Sequence, residues 1–180
     1  MELHIAAPSD MPLIKSLYTD TFPKEERQDF DTIISFTREK RAVIYSIFEN
    51  TFAGFVITLE DDSTVLINYF AMLPEMRCRG IGGRIITELT QRYAASGKRV
   101  FLEIETVPTH AAADDVRTRR RDFYRRCGYR DADICVRVFS CRFELMTHGG
   151  AITFDEYRNF LRSFFGQRIY ERIREDTRDG

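Results

Sequence analysis

Three arginines and three glycines fall within the eight residues Arg77-Cys78-Arg79-Gly80-Ile81-Gly82-Gly83-Arg84. Residues of these types can hold an anion. Glycine lets successive backbone N–H groups approach an oxyanion with no Cβ in the way. A helix starting at the glycines adds roughly half a unit of positive charge at its first turn. Arg77, Arg79 and Arg84 can add charge-assisted contacts to a phosphate. Two well-known phosphate loops are excluded: no Lys-Ser/Thr follows the glycines, and their spacing is not Gly-x-Gly-x-x-Gly. What remains is either an anion cradle or a tight strand-to-helix turn.

Two carboxylates downstream also have a chemical spacing. Glu103 and Glu105 alternate with Leu102 and Ile104, so on a strand both acids share one face. His110 lies in the following loop, where a solvated histidine is the ordinary reading. The four cysteines, Cys78, Cys127, Cys135 and Cys141, form no Cys-x-x-Cys pair and no Cys/His metal spacing. Reduced thiols and no metal are expected, with Cys78 and Cys127 as small packing residues.

The elements that must position these groups follow from hydrophobic patterning. Thr64–Met72 is a nearly continuous apolar run, which suits a strand covered on both faces and ending just before the loop. Ile81, Ile85, Ile86, Leu89 and Tyr93 share a helical face that Gly97 terminates. Arg99–Glu105 is the next strand. Upstream, a short strand over 3–6 precedes a helix started by Ser9 or Asp10. A second helical stretch is expected from Glu25-Glu26. Strands over 42–48 and 52–59 meet at Glu49-Asn50, with Gly54 a bulge or a point of close approach. Downstream, Asp114 or Asp115 caps a short helix that Gly128 ends. Residues 134–146 read as one long strand or a hairpin. Residues 153–176 read as one or two amphipathic helices, opened by a Thr153/Glu156 capping box.

At 180 residues the chain suits one domain with, at most, a short appendage. A net charge of −1 gives no global field to recruit nucleic acid or an anionic membrane. No apolar run approaches the ~18 residues of a membrane-spanning helix, and residues 1–5 lack the basic and apolar regions of a leader. A cytoplasmic protein is expected. Arg117, Arg119, Arg120, Arg121, Arg125 and Arg126 crowd one helix. Such a helix could track an RNA backbone, but no exposed aromatics interleave and the helical repeat spreads the charges around the axis. A solvated, salt-bridged face is the favoured reading.

Three segments together resemble a known family. Arg77-Cys78-Arg79-Gly80-Ile81-Gly82 is similar to the Arg/Gln-x-x-Gly-x-Gly/Ala signature of the GNAT superfamily of N-acyltransferases. Phe70-Ala71-Met72-Leu73-Pro74 resembles the strand end that precedes that signature. Phe123-Tyr124-Arg125-Arg126-Cys127-Gly128-Tyr129 resembles the family's later Tyr-x-x-x-Gly-Phe/Tyr segment, in the same order. The resemblance covers roughly residues 3–145. It implies an α+β, three-layer fold with a mixed, mostly antiparallel central sheet and helices on both faces. It places the N-acetyltransferase domain at 1–148, followed by a C-terminal helical extension, 149–180, packed on the same domain.

The resemblance also implies roles. Acetyl-CoA would be the acyl donor. Backbone groups of Phe70, Ala71 and Met72 would bind its pantetheine arm, with strands Thr64–Met72 and Arg99–Glu105 splayed around it. The loop from Arg77 through Cys78, Arg79, Gly80, Ile81, Gly82 and Gly83 to Arg84 would hold the pyrophosphate. Phe123 would border the cofactor, and Tyr124 would sit near the thioester sulfur. Many relatives carry an asparagine seven residues before that tyrosine and a small residue four before it; Arg117 and Arg120 stand there. Side-chain contacts from this helix to pantetheine are therefore not carried over.

An amine attacking a thioester must be neutral, and a thiolate must leave. The thiolate has a reference pKa near ~8.5 and tyrosine near ~10, so Tyr124 can stabilise or protonate it. Alternatively Tyr124 only packs and hydrogen-bonds the cofactor. Glu103, deeper in its strand, or Glu105 can take the amine proton or attract a cationic acceptor. Three classes follow: an N-acetyltransferase for a small-molecule or peptide amine, a non-catalytic acyl-CoA-binding domain, or an RNA-associated protein using the arginine helix. The first is favoured. A homodimer is compatible with it, and neither a membrane nor nucleic acid is expected as partner.

Overall fold

The structure, a computed structural model, describes residues 1–176. In chain order the elements are β1 (Glu2–Ile5), α1 (Met11–Thr21), α2 (Phe30–Arg38), β2 (Ala42–Glu49), β3 (Thr51–Glu60), β4 (Thr64–Met72), α3 (Ile81–Ala95), β5 (Arg99–Glu105), α4 (Val116–Arg126), β6 (Arg130–Val138), β7 (Cys141–His148), α5 (Phe154–Phe165), α6 (Gln167–Tyr170) and β8 (Ile173–Asp176). The fold is α+β, and it divides into two compact units, Met1–Arg92 and Tyr93–Gly180.

In the first unit, β1 to β4 form an antiparallel meander. The apolar runs of β3 and β4 bury nearly every residue from Phe52 to Leu59 and from Thr64 to Ile67. One face carries Phe55, Ile57, Tyr69 and Ala71, which pack against Ile14, Leu17 and Tyr18 of α1 and Phe30 and Ile33 of α2. Gly54 is a point of close approach: a Cβ there would lie 2.3 Å from the Ala71 carbonyl oxygen. Further along the β3–β4 ladder, Ile57 pairs with Tyr69 and Thr58 with Ile67, so Asn68 is the extra residue of a bulge.

The helix expected to begin at Glu25-Glu26 and run on through Phe30, Ile33 and Ile34 forms only from Phe30. Gln28 is instead caught between two tyrosines: the Tyr18 hydroxyl donates to its carbonyl (2.9 Å), and its N–H donates to the Tyr69 hydroxyl (3.1 Å). Tyr69 in turn donates to the Glu26 carbonyl at 3.0 Å. These bonds hold residues 23–29 as a loop, and α2 starts only at Phe30, where the Asp29 carboxylate caps the Thr32 N–H. Asp10 likewise does not cap α1 by its side chain; its carboxylate accepts from Ala7 N–H (3.0 Å) and from the buried Ser46 hydroxyl (2.7 Å).

In the second unit the strand order is β5-β7-β6-β8, all antiparallel. The segment read as a long strand or hairpin is a hairpin, β6–β7. Helix α5 covers one face of this sheet. Phe101 of β5 packs edge-on against Tyr157 and Phe160 of α5. Its neighbour Val100 points the other way and pairs with His148, whose ring meets Tyr129 beyond the end of α4. The C-terminal stretch is helical only through α5 and α6. Residues Ile173–Asp176, expected as helix, form strand β8 on β6, with Ile173 buried and Asp176 bridging Arg137 and Arg142 at 2.9 Å each. Among the described residues no helix is long and apolar enough to cross a membrane.

Candidate active site

The glycine loop is built on the end of β4. After Met72 the chain makes a single 3-10 turn, Pro74–Met76, and Arg77 folds back so that its Nε donates to the Met72 carbonyl at 3.0 Å. That bond makes Arg77 a brace of the loop as well as a nearby charge. Cys78 (φ 59°) and Gly80 (φ 75°) both adopt left-handed backbone. Turns containing left-handed residues gather successive N–H groups into a concavity that suits an anion. Helix α3 begins immediately afterwards at Ile81, and Arg84 N–H closes its first turn on the Gly80 carbonyl at 3.2 Å. The first turn of a helix has N–H groups without intrahelical partners and the positive end of the macrodipole. Arg79 and Arg84 are exposed, as is Cys78, which therefore is not the packing residue expected. A Cβ on Gly80 would meet nothing within 4 Å, so glycine is needed there for its φ and not for space. On β4, Phe70, Ala71 and Met72 pair with Val56, Phe55 and Gly54 of β3.

Tyr124 belongs to the second unit. Helix α4 starts at Asp115, whose carboxylate accepts from Arg117 N–H (2.8 Å) and from its guanidinium (2.8 and 3.0 Å). The Arg117 contact holds the Asp115 carboxyl down at about 2. At the other end Gly128 takes a left-handed φ of 90°, and the turn brings Tyr129 N–H onto the Tyr124 carbonyl at 3.1 Å. The ring of Tyr124 packs between Phe123 and Tyr129, at 5.0 and 5.8 Å. Tyr124 is 8% exposed, and burial pushes its phenol up to about 12, the Arg120 charge opposing.

The two glutamates part company. Glu105 is ion-paired with Arg120 of α4 at 2.5 Å, both side chains about two-fifths exposed (42% and 43%). Glu103 is half-buried, and its Oε1 accepts a hydrogen bond from the Tyr157 hydroxyl at 2.8 Å. Burial raises the Glu103 carboxyl above the ordinary glutamate range, the Tyr157 bond pulling the other way. Tyr157 escaped the sequence reading as a polar participant because it sits among the apolar positions of α5. The available signal was its type: a tyrosine on a buried helix face needs a partner for its hydroxyl.

His110 is exposed in the loop after β5, and Cys127 is buried. Three of the clustered arginines are tied to acids: Arg117 to Asp115, Arg120 to Glu105, and Arg125 to Asp122 and Asp131. That is the salt-bridged face expected of the helix.

The family model for the acetyltransferase (GNAT) family matches residues 11–129, from α1 to the residue after Gly128. The chain belongs to that family. Among solved structures, a GNAT-family protein from Bacteroides thetaiotaomicron superposes with a TM-score of 0.73 at 20% identity, over 94% of this chain and 99% of that one. An aminoglycoside 6'-N-acetyltransferase complexed with coenzyme A gives 0.65 at 13% identity, over 82% and 96%. A spermidine N-acetyltransferase from Vibrio cholerae, in complex with CoA and spermine, gives 0.63 at 13% identity, over 82% and 94%. At these identities the likeness is one of fold. No curated protein matches the sequence.

Proposed function

We propose that this chain is an N-acetyltransferase that moves the acetyl group of acetyl-CoA to the primary amine of a small-molecule or peptide acceptor. The observation that carries this reading is the loop Arg77 to Arg84, which in a chain of this family opens a long helix with left-handed residues at Cys78 and Gly80. Its N–H groups, with Arg79 and Arg84, hold the pyrophosphate, while Phe70, Ala71, Met72 and Phe123 border the rest of the donor. The catalytic domain spans 1–148, and 149–180 is an extension of it.

The reaction is direct attack in a ternary complex. The amine nitrogen bonds to the thioester carbonyl carbon, and the carbon–sulfur bond then breaks. The ammonium proton passes to Glu103, directly or through a water, and the leaving thiolate takes a hydrogen bond from Tyr124. Glu105 contributes negative charge that favours a cationic acceptor. The fold neighbours named for aminoglycoside and spermidine acetylation, both cationic amines, support that class.

A CoA-release screen tests the reading across polyamines, aminoglycosides, amino acids and peptides, with turnover expected for a cationic amine. Tight CoA binding with silence from every amine class would leave a binding-only domain. The cradle has its own test. Valine at position 80 is strained in the left-handed region by more than ~1–2 kcal/mol, so Gly80→Val is expected to weaken CoA binding about tenfold or more in titration calorimetry. Asparagine tolerates that region, so Gly80→Asn should bind within a few-fold of wild type. Equal affinity for all three proteins would remove the loop from the donor site.

A further inference from the structure

We infer that Tyr157, delivered by helix α5 from beyond the matched family segment, is a positioning residue that fixes the Glu103 carboxylate as the proton acceptor of the transfer reaction. The inference rests on the reading of Glu103 as base given above. Its geometry lies within one unit: the Tyr157 hydroxyl donates to Glu103 Oε1 at 2.8 Å, across 54 residues of sequence. Among the described residues no other hydrogen bond to the Glu103 carboxylate is formed, so Oε2 is left to receive a proton.

Docking of α5 does not require this bond. The helix is already held by the Arg99–Glu156 ion pair at 2.9 Å and by Arg99 donating to the Ala151 carbonyl at 2.6 Å. The rings of Tyr157 and Phe160 pack on Phe101 whether or not a hydroxyl is present. Burying a hydroxyl and a carboxylate is unfavourable relative to an apolar pair of the same volume. Tyr157 is fully buried at 0% exposure, and burial, then the Glu103 charge, raises its phenol well above the usual tyrosine range. It therefore stays protonated and can only donate to Glu103. One oxygen of the carboxylate is thereby fixed, and the side chain holds a single orientation.

The charged groups around this pair are accounted for within the unit. On β5, Arg99 is taken by Glu156 of α5, and Glu105 by Arg120 of α4. On α5, Arg158 stacks over Tyr170 at 3.9 Å. Opposite Glu103 on β7 stands Leu145. Tyr157 is thus the group through which this unit tunes Glu103.

The test compares wild type, Tyr157→Phe, Arg99→Ala and Glu103→Gln. Two readouts are taken: the titration of the Glu103 carboxyl by carbon-13 NMR, and kcat/KM against pH. Removing the hydroxyl withdraws a bond that favours the charged carboxylate. In Tyr157→Phe both the titration and the acid limb of kcat/KM should therefore move to higher pH, and kcat/KM near neutrality should fall roughly tenfold. Arg99→Ala loosens the seat of α5 and should lower Tm with the limb in place. The inference is overturned if Tyr157→Phe leaves either readout where it was, or if Arg99→Ala moves the limb as far. Wild-type turnover with an unmoved acid limb in Glu103→Gln would remove Glu103 as base, and the inference with it, but not acetyl transfer. A wild type silent with every amine would instead overturn the proposed function itself.

Discussion

Tyr124→Phe is expected to lower kcat about 10–100-fold while leaving KM for acetyl-CoA within about twofold. The size follows from the kind of bond lost. A hydrogen bond to a charged partner is worth ~1.5–3 kcal/mol, and the sulfur becomes a thiolate only as the reaction proceeds, so the loss falls on the transition state. Burial of the phenol decides how the tyrosine acts. With its ionisation pushed up to about 12, Tyr124 keeps its proton throughout the working range. In the proposed reaction it therefore meets the leaving thiolate as a protonated phenol, able to donate a hydrogen bond or, as general acid, its proton. The same burial makes a second outcome checkable: below ~pH 10 no alkaline limb of kcat should disappear in Tyr124→Phe. Steady-state kinetics and CoA titration on the two proteins measure both. An unchanged kcat would reduce Tyr124 to a packing residue between Phe123 and Tyr129.

Two of the strands could be read from sequence because their runs are long and apolar. Thr64–Met72 and Arg99–Glu105 came out with the right ends, since flanking residues bound each run and, for Thr64–Met72, burial on both faces leaves little freedom of assignment. Strand β8 was illegible for the opposite reason. Ile-Arg-Glu-Asp has one apolar residue, and it is a strand because β6 offers a pairing edge and Arg137 and Arg142 meet Asp176. The loop over 23–29 failed in the same way: its helical composition yields to the Tyr18 hydroxyl from the preceding helix and the Tyr69 hydroxyl from far along the chain, which together capture Gln28.

The candidate site divides along the same line. Local backbone chemistry was legible: a glycine at Gly80 before an amphipathic helix states the turn and the helix start together. Partnerships between distant side chains were not. Glu103 and Glu105 look equivalent by strand alternation, yet Arg120 takes one and Tyr157 the other. Only the packing of α4 and α5 on β5 separates a solvated ion pair from a desolvated carboxylate.

That separation gives Glu103→Gln opposite effects on activity and stability. Loss of a general base lowers kcat/KM by ~100-fold or more. Stability should move the other way at neutral pH. Burial raises the folded-state ionisation of Glu103 above its unfolded value, so the folded chain binds the proton more tightly. Stability from this group is then full below the ordinary glutamate range. It is lost as pH climbs through that range to the raised folded-state value. Glutamine removes the titration, and its amide oxygen can still accept from Tyr157. The variant should therefore melt above wild type at pH 7–8, and the gap should close as pH falls to ~4. In a chain of this size a gain of 1 kcal/mol reads as about 2–4 °C in Tm. The corresponding Glu105→Gln protein removes an exposed ion pair, worth ~0–1 kcal/mol, and should show neither the rise in Tm nor the hundredfold loss. A Glu103→Gln protein with wild-type kcat/KM and a Tm that tracks wild type at every pH would mean that the carboxylate is neither desolvated nor the base.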